Sequence, residues 1–238
     1  MIPVRDNPDK GRGYNRARWM PVVRVDIYSD TVCPWCYLGK RRFELALAAR
    51  PEYEPRVTWR PFELNPEIPL EGLDYATYWA AKMAAQPGMA EANADLARLG
   101  EASAVQFRFD LIRRVPNTRR SHLLIAHAAR CGLQGQVLDR IMRAYFEEGR
   151  DIGDPDELVR LGREAGLVEA EARHALILRR GQDGVVAAQR HAAVLGITGV
   201  PTYVFDGQYT ISGAQEVAIF ARVLDQVAEF ANARGVAT

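Results

Sequence analysis

Cysteine is scarce in this sequence, with three residues among 238. So few cysteines, and an odd number, exclude a framework of structural disulfides and favour a reducing, cytoplasmic setting over export. Long apolar runs are missing too: nothing approaches the roughly eighteen consecutive apolar residues that a membrane-spanning helix needs. The formal net charge is +1 and no extended basic run occurs, so nucleic acid and anionic membranes are poor candidates as partners.

The first twenty residues are polar, contain several arginines and lack the apolar segment of a secretory signal. We expect residues 1–20 to form a disordered extension, with translation starting at Met1 or at Met20. The rest of the chain has an ordinary globular composition, 48% hydrophobic and 26% charged overall. Its length suits one large domain or a domain with an insertion.

Two of the three cysteines, Cys33 and Cys36, flank Pro34 and Trp35 where a strand is predicted to turn into a helix. Residues 22–28 alternate with β-branched side chains, which indicates the strand. Small and apolar residues then recur in steps of three and four, which indicates the helix, and Pro34 suits its first position. A helix N-terminus carries about half a positive charge, which favours the thiolate of Cys33 over the thiol.

Further along the chain, an alternating segment at 56–64 predicts a second strand, whose proline suggests a strand end or edge. The β-α-β order needs a crossover, so these two strands should be parallel. From residue 72 to residue 196 the pattern is helical throughout, with caps and glycine stops but no convincing strand. The dipeptide Asp206-Gly207 between two short alternating runs then predicts a hairpin, followed by a last helix.

The predicted order is therefore β-α-β, a helical insertion, and β-β-α. We expect an α/β fold in which two halves of one domain, 21–71 and 197–238, enclose an all-helical insertion domain at 72–196.

This order, with a CxxC after the first strand and an apolar-proline step at Val200-Pro201 before the third, resembles the thioredoxin fold. A helical insertion between the two halves is similar to the DsbA-like subgroup, and residues 29–42 resemble its FrnE-like branch of dithiol oxidoreductases. The further matching motifs are Arg60 to Pro66, Asn117-Thr118 ahead of Ser121-His122, Gly199 to Thr202, and Ser212 to Gln215. That branch is related to 2-hydroxychromene-2-carboxylate isomerases and kappa-class glutathione transferases.

The resemblance implies a dithiol–disulfide oxidoreductase or isomerase that exchanges disulfides with proteins, or with small thiols such as glutathione. Cys33, at the exposed tip of the helix, would attack, and Cys36, facing the core, would resolve the mixed disulfide, with no bound cofactor beyond this redox pair. Pro201 is expected to be cis, with Val200 offering its backbone to an extended substrate. Roles in oxidative stress and in a homodimer would fit the branch.

The resemblance also suggests a substrate or glutathione groove lined by Asn65, Asn117 and Thr118, although Asn117 is equally a helix cap. Trp35 brings no charge to the thiols, so we expect a reduction potential between the extremes of roughly −270 and −120 mV. Some members of the branch carry a second cysteine pair near the C-terminus. No cysteine follows Cys131 here, so any function that needs that pair is in doubt.

Several alternatives stay open at this stage. The cysteine pair could be half of a zinc site, but no further ligands occur at zinc spacing. The chain could be a glutathione-dependent small-molecule isomerase or transferase, or a chaperone-like binding module. Cys131 is expected to be a packed, inert thiol and His122 a satisfied surface or interdomain histidine. The run Lys40 to Arg42 is expected to be a solvated helix face.

Overall fold

The computed structural model describes residues 20–85 and 88–235, so the expected extension at residues 1–19 lies outside the described residues. Met20 itself is 39% exposed. Within the described part, no helix is both long enough and apolar enough to cross a membrane.

Apart from one short ladder in the insertion, the described strands and helices follow the predicted order of β-α-β, helical insertion and β-β-α. The strands are β1 (Val22–Ser29), β2 (Glu54–Pro61), β3 (Leu73–Asp74), β4 (Arg114–Val115), β5 (Thr202–Phe205) and β6 (Tyr209–Ser212). The helices are α1 (Pro34–Ala48), α2 (Tyr75–Ala85), α3 (Met89–Glu101), α4 (Arg119–Arg130), α5 (Gln134–Phe146), α6 (Pro155–Glu164), α7 (Glu169–Ile177), α8 (Gln182–Val194) and α9 (Val217–Gly235), with a short 3-10 helix at Phe109–Leu111.

Four strands form one sheet in the order β2-β1-β5-β6. Strand β1 runs parallel to β2, from Val22 beside Glu54 to Ser29 beside Pro61, which confirms the predicted crossover. Strand β5 runs antiparallel to β1, and β6 antiparallel to β5. Because β2 is an edge strand, Pro61 can end it without removing a hydrogen bond from the sheet interior.

The hairpin between β5 and β6 turns at Asp206 and Gly207, whose φ angles are +49° and +69°. Two successive left-handed residues define the type I′ turn that suits the twist of paired strands. The Asp-Gly signal is therefore confirmed.

One part of the insertion differs from the all-helical prediction. Leu73 and Asp74 pair antiparallel with Val115 and Arg114 in a two-residue ladder that brackets α2 and α3. Two residues are too short to give a periodic pattern, so the sequence carried no signal for it. Strand β2 likewise ends at Pro61, earlier than the predicted end at residue 64, because the Leu64 N–H bonds the Asp30 carboxylate and not a neighbouring strand.

Helix α1 lies against the sheet through a cluster of aromatic rings. The ring of Phe43 is 5.5 Å from Tyr203, 6.4 Å from Phe205 and 5.4 Å from Phe220, measured between centroids. All four side chains are at most 1% exposed. Large buried rings contribute strongly to a core, and this cluster fixes α1 over β5 and beside α9.

Helix α1 packs tightly against β5 and the Pro201 loop at Gly39. A Cβ atom there would lie 2.6 Å from the Tyr203 hydroxyl oxygen and 3.1 Å from Cγ of Pro201. Both neighbours belong to buried side chains, so neither can move aside cheaply.

We therefore predict that Gly39→Ala lowers the free energy of unfolding by about 1–3 kcal/mol, the usual effect of overpacking. Gly184→Ala is the matched control, because Gly184 lies inside α8 with nothing within 4 Å of an added Cβ. That change should stabilise the protein by up to about 1 kcal/mol through helix propensity. Denaturant unfolding of both variants measures the difference, and equal effects would contradict the packing at Gly39.

Candidate active site

Cys33 is the N-cap residue of α1, with φ −89° and ψ +110°. Its carbonyl accepts the backbone N–H groups of Cys36 and Tyr37, which begins the helix, and Pro34 occupies the first turn. The expectation of an exposed helix tip is wrong, because the Cys33 residue is only 4% exposed. The loop at Val200 and a pocket of aromatic side chains cover it.

The Val200–Pro201 peptide bond is cis, in agreement with the expectation from the resemblance. The Cys33 thiol donates to the carbonyl oxygen of Val200, with 3.6 Å between Sγ and oxygen. The far side of this loop is tied to β6, because Gly213 donates its N–H to the Pro201 carbonyl at 2.8 Å. Residues distant in sequence thus meet at the nucleophile candidate.

Cys36 lies one helical turn further into the core and is 1% exposed. Burial raises the pKa of the Cys36 thiol well above its ordinary value, and the neighbouring Cys33 raises it further. The backbone of Asp30 and the Ser29 side chain lower this pKa only in part. Both cysteines are free thiols, and the raised pKa favours the protonated form of Cys36 at neutral pH.

A buried acid and a buried histidine lie next to the cysteine turn. Asp30 is 0% exposed, and its Oδ2 accepts the N–H of Leu64 at 2.8 Å, which fastens the loop after β2 to the end of β1. Its Oδ1 is 3.3 Å from Nε2 of His122, which is 3% exposed, and neither atom has another partner. Of the two expected positions the surface one is wrong, because His122 is buried between the insertion and the end of β1. Asp30 and His122 both stood in the quoted motifs, but spacing alone did not show that they meet.

A pocket of about 220 Å³ opens beside Cys33, between the cysteine turn and the helices of the insertion. We call it the aromatic pocket, because six of its residues are Tyr, Trp or Phe in addition to Trp35 at its rim. The insertion supplies Tyr75, Tyr78, Trp79, Lys82, Asn93, Phe109, Tyr145 and Phe146 to its lining.

The three predicted groove residues divide between two places. Asn65 lines the aromatic pocket with Cys33. Asn117 lies instead beneath the following loop, where its Nδ2 donates to the Ile68 carbonyl at 2.6 Å. Its Oδ1 accepts the N–H of Arg119 at 3.0 Å, but the N-cap of α4 is Thr118, one residue later than the predicted cap at Asn117. Thr118 is 5% exposed and is not among the pocket residues.

The charged run on α1 is not the solvated face that we expected. Lys40 is 1% exposed, and its Nζ lies 2.6 Å from Glu44 and 2.7 Å from Asp139 of α5. Arg42 donates to the Ala214 carbonyl at 2.8 Å. Cations on this face therefore tie α1 to its neighbours, which a sequence pattern of three basic residues does not reveal.

One group of potential metal ligands occurs in the described residues, and it excludes both active-site cysteines. It consists of His127, Cys131 and Glu171, with ligand atoms within 4.8 Å of one another. Burial lowers the pKa of His127, and the nearby guanidinium of Arg130 lowers it further. A cation beside these ligands opposes a second cation. Cys131 is also exposed, which corrects the expectation of a packed thiol.

Comparison with known proteins identifies the family. A model of the DSBA-like thioredoxin domain matches residues 24–225, so this chain belongs to that family. This confirms the expected thioredoxin-like α/β fold and the expected kinship with DsbA oxidoreductases. The uncharacterized protein YwbO of Bacillus subtilis is 30% identical over 203 residues, which span 85% of this chain and 96% of YwbO.

Solved structures agree with this assignment. The probable DsbA oxidoreductase SCO1869 from Streptomyces coelicolor superposes with a TM-score of 0.78 at 36% identity, covering 86% of this chain and 89% of that one. The cytosolic disulfide reductase DsbM from Pseudomonas aeruginosa, solved with GSH, gives a TM-score of 0.60 at 20% identity. That match covers 89% of this chain and 98% of DsbM, and at this identity it shows the shared fold alone.

The burial of Cys36 predicts which thiol is alkylated. In a Cys131→Ser background, which removes the exposed thiol, limiting iodoacetamide at neutral pH should label Cys33 and leave Cys36 unmodified. At higher pH, iodoacetamide should label Cys36 only well above the pKa range of ordinary thiols, because burial raises the pKa of this thiol. Peptide mass spectrometry after quenching measures both sites. Labelling of Cys36 before Cys33 would contradict the assignment.

Proposed function

We propose that this protein is a thiol–disulfide oxidoreductase that works through Cys33 and Cys36. The observation that carries the proposal is the unequal setting of the two thiols. Cys33 caps a helix, borders a pocket and touches the Val200 carbonyl, whereas Cys36 is buried behind it with a raised pKa. Cys33 can therefore react with the substrate first, and Cys36 can react afterwards with the mixed disulfide.

In the proposed reaction the Cys33 thiolate attacks a substrate disulfide, forms a mixed disulfide and releases one substrate thiolate. The Cys36 thiol then loses its proton and attacks Cys33, which releases the second substrate thiol and closes the Cys33–Cys36 disulfide. Two electrons pass from the protein to the substrate. The reverse sequence oxidises a substrate dithiol, and a shuffled mixed disulfide gives isomerisation.

We assign the backbone of Val200, before the cis proline Pro201, to contact with the substrate chain beside Cys33. Asn65 is assigned to the groove itself. Asn117 acts on the groove indirectly, since it holds the Ile68 carbonyl in the loop that carries Asn65. The Thr118 carbonyl accepts the N–H of His122 at 3.0 Å, which is the first hydrogen bond of α4, so we assign Thr118 to the start of that helix.

Proteins with disulfides, and small thiols such as glutathione, are the proposed partners, and the cytoplasm is the proposed setting. The low and odd cysteine count supports this setting. A structural neighbour that is a cytosolic disulfide reductase, solved with GSH, is consistent with both proposals.

A second candidate is a glutathione-dependent isomerase or transferase that acts on an aromatic small molecule. The aromatic pocket beside Cys33 favours it. The buried second cysteine weighs against it, because such chemistry uses the glutathione thiol and needs no resolving cysteine.

The test is turnover by matched cysteine variants. Cys33→Ser should abolish insulin reduction and scrambled-ribonuclease reactivation, because no other described thiol borders the pocket. Cys36→Ser should accumulate a mixed disulfide on Cys33, since the resolving thiol is gone, and mass spectrometry should detect the adduct. Cys131→Ser is the control and should keep wild-type rates.

Two other outcomes would contradict the proposal. Aggregation suppression that survives Cys33→Ser, without turnover in the wild type, would indicate a binding module. Activity that requires glutathione with an aromatic substrate and survives Cys36→Ser would indicate the isomerase class.

A further inference from the structure

The charge and shape of the aromatic pocket bear on which disulfides can reach Cys33. Of its described lining residues, Lys82 alone is charged, and no carboxylate lines it. Burial raises the pKa of Tyr75, and burial raises that of Tyr145 well above its ordinary value, so both phenols stay neutral. A negative group that entered this pocket would therefore meet one cation and no opposing anion.

The shape of the pocket is set by flat side chains. Trp79 stacks on Tyr75 with ring centroids 5.9 Å apart and an interplanar angle of 4°. Both rings are half-buried and face the same pocket as Cys33. A volume of about 220 Å³ accommodates a ring system but not a folded chain segment. Stacked aromatic walls favour a flat aromatic guest over an aliphatic one.

Lys82 lies on the same face of α2, one turn beyond Tyr78. Its Nζ is 3.5 Å from the Tyr78 hydroxyl and 5.5 Å from the centre of that ring. Among the residues that the structure describes, no carboxylate pairs with Lys82, so its charge is available to a ligand in the pocket. The half-buried position of this ammonium makes it a stronger attractor than a fully exposed one.

We infer that the aromatic pocket selects disulfides in which the sulfur that Cys33 attacks lies beside an aromatic ring bearing a carboxylate. This rests on the proposed function. Trp79 and Tyr75 stack on the ring, and Lys82 pairs with the carboxylate. The Cys33 thiolate displaces one arylthiolate, and Cys36 displaces the other. Two aryl thiols and the Cys33–Cys36 disulfide result, with two electrons transferred.

The test uses single-turnover oxidation of the reduced protein in a Cys131→Ser background. Three disulfides are compared: bis(para-carboxyphenyl) disulfide, its uncharged amide counterpart bis(para-carbamoylphenyl) disulfide, and the aliphatic bis(carboxyethyl) disulfide. Each rate is divided by that of a free model thiol, dithiothreitol, so that intrinsic reactivity cancels. We expect the carboxyphenyl compound to have the highest ratio.

Two variants separate the roles of charge and stacking. Lys82→Met should lower the oxidation rate with the carboxyphenyl disulfide about fivefold and leave the rate with the amide disulfide unchanged. Arg98→Met is its control, because Arg98 lies in the same insertion but outside the pocket. Trp79→Leu should lower the oxidation rates with both aryl disulfides about tenfold and leave the rate with the aliphatic disulfide unchanged. Tyr209→Leu, on the distant strand β6, is the aromatic control.

A peptide arm identifies where the aromatic group comes from. Glutathione mixed disulfides of short peptides place phenylalanine or alanine beside the cysteine. An advantage confined to the carboxyphenyl disulfide supports the assignment and identifies a small aromatic thiol. An equal advantage for the phenylalanine peptide, whose ring bears no carboxylate, would overturn the carboxylate requirement.

Equal normalised rates for aromatic and aliphatic disulfides would overturn the assignment, as would Lys82→Met and Trp79→Leu variants that match the wild type. If Cys33→Ser still abolishes every reaction in that case, the proposed function stands and only the substrate class falls.

Discussion

The contact at Gly39 is the constraint on which the rest of the site depends. A glycine lets α1 approach within van der Waals distance of the Tyr203 hydroxyl and the Pro201 ring, and no other side chain fits there without displacement. Because α1 begins at the cysteine turn, this approach brings Cys33 Sγ to 3.6 Å from the Val200 carbonyl. It also directs Cys36 into the core, where burial raises the pKa of its thiol.

The helical insertion supplies most of the pocket wall beside the cysteine pair. The thioredoxin-like half provides a helix tip, a buried second thiol and a proline loop, all of which suit exchange with any accessible disulfide. Helix α2, which follows β3 of the short β3–β4 ladder, adds Tyr75, Trp79 and Lys82 to the pocket that Cys33 lines. Cys33 itself is 4% exposed, and the aromatic pocket lies directly beside it.

Much of this could be predicted from sequence, and the failures share a cause. The strand before Cys33 and the hairpin at Asp206-Gly207 follow from local patterns, and these predictions hold. The burial of Cys33, the ion pairs of Lys40 and the meeting of Asp30 with His122 depend on residues far apart in the chain. Periodicity describes which face of one helix is apolar, but it does not say which element covers that face.

The most direct measurement of the central claim is a redox titration of the Cys33–Cys36 pair against glutathione, followed by mass spectrometry of the two thiols. The account predicts one two-electron transition that closes an internal disulfide. Because uncharged Trp35 separates the cysteines, the midpoint should lie between roughly −270 and −120 mV. A glutathione adduct on Cys33 that never resolves to the internal disulfide, even with Cys36 intact, would contradict it.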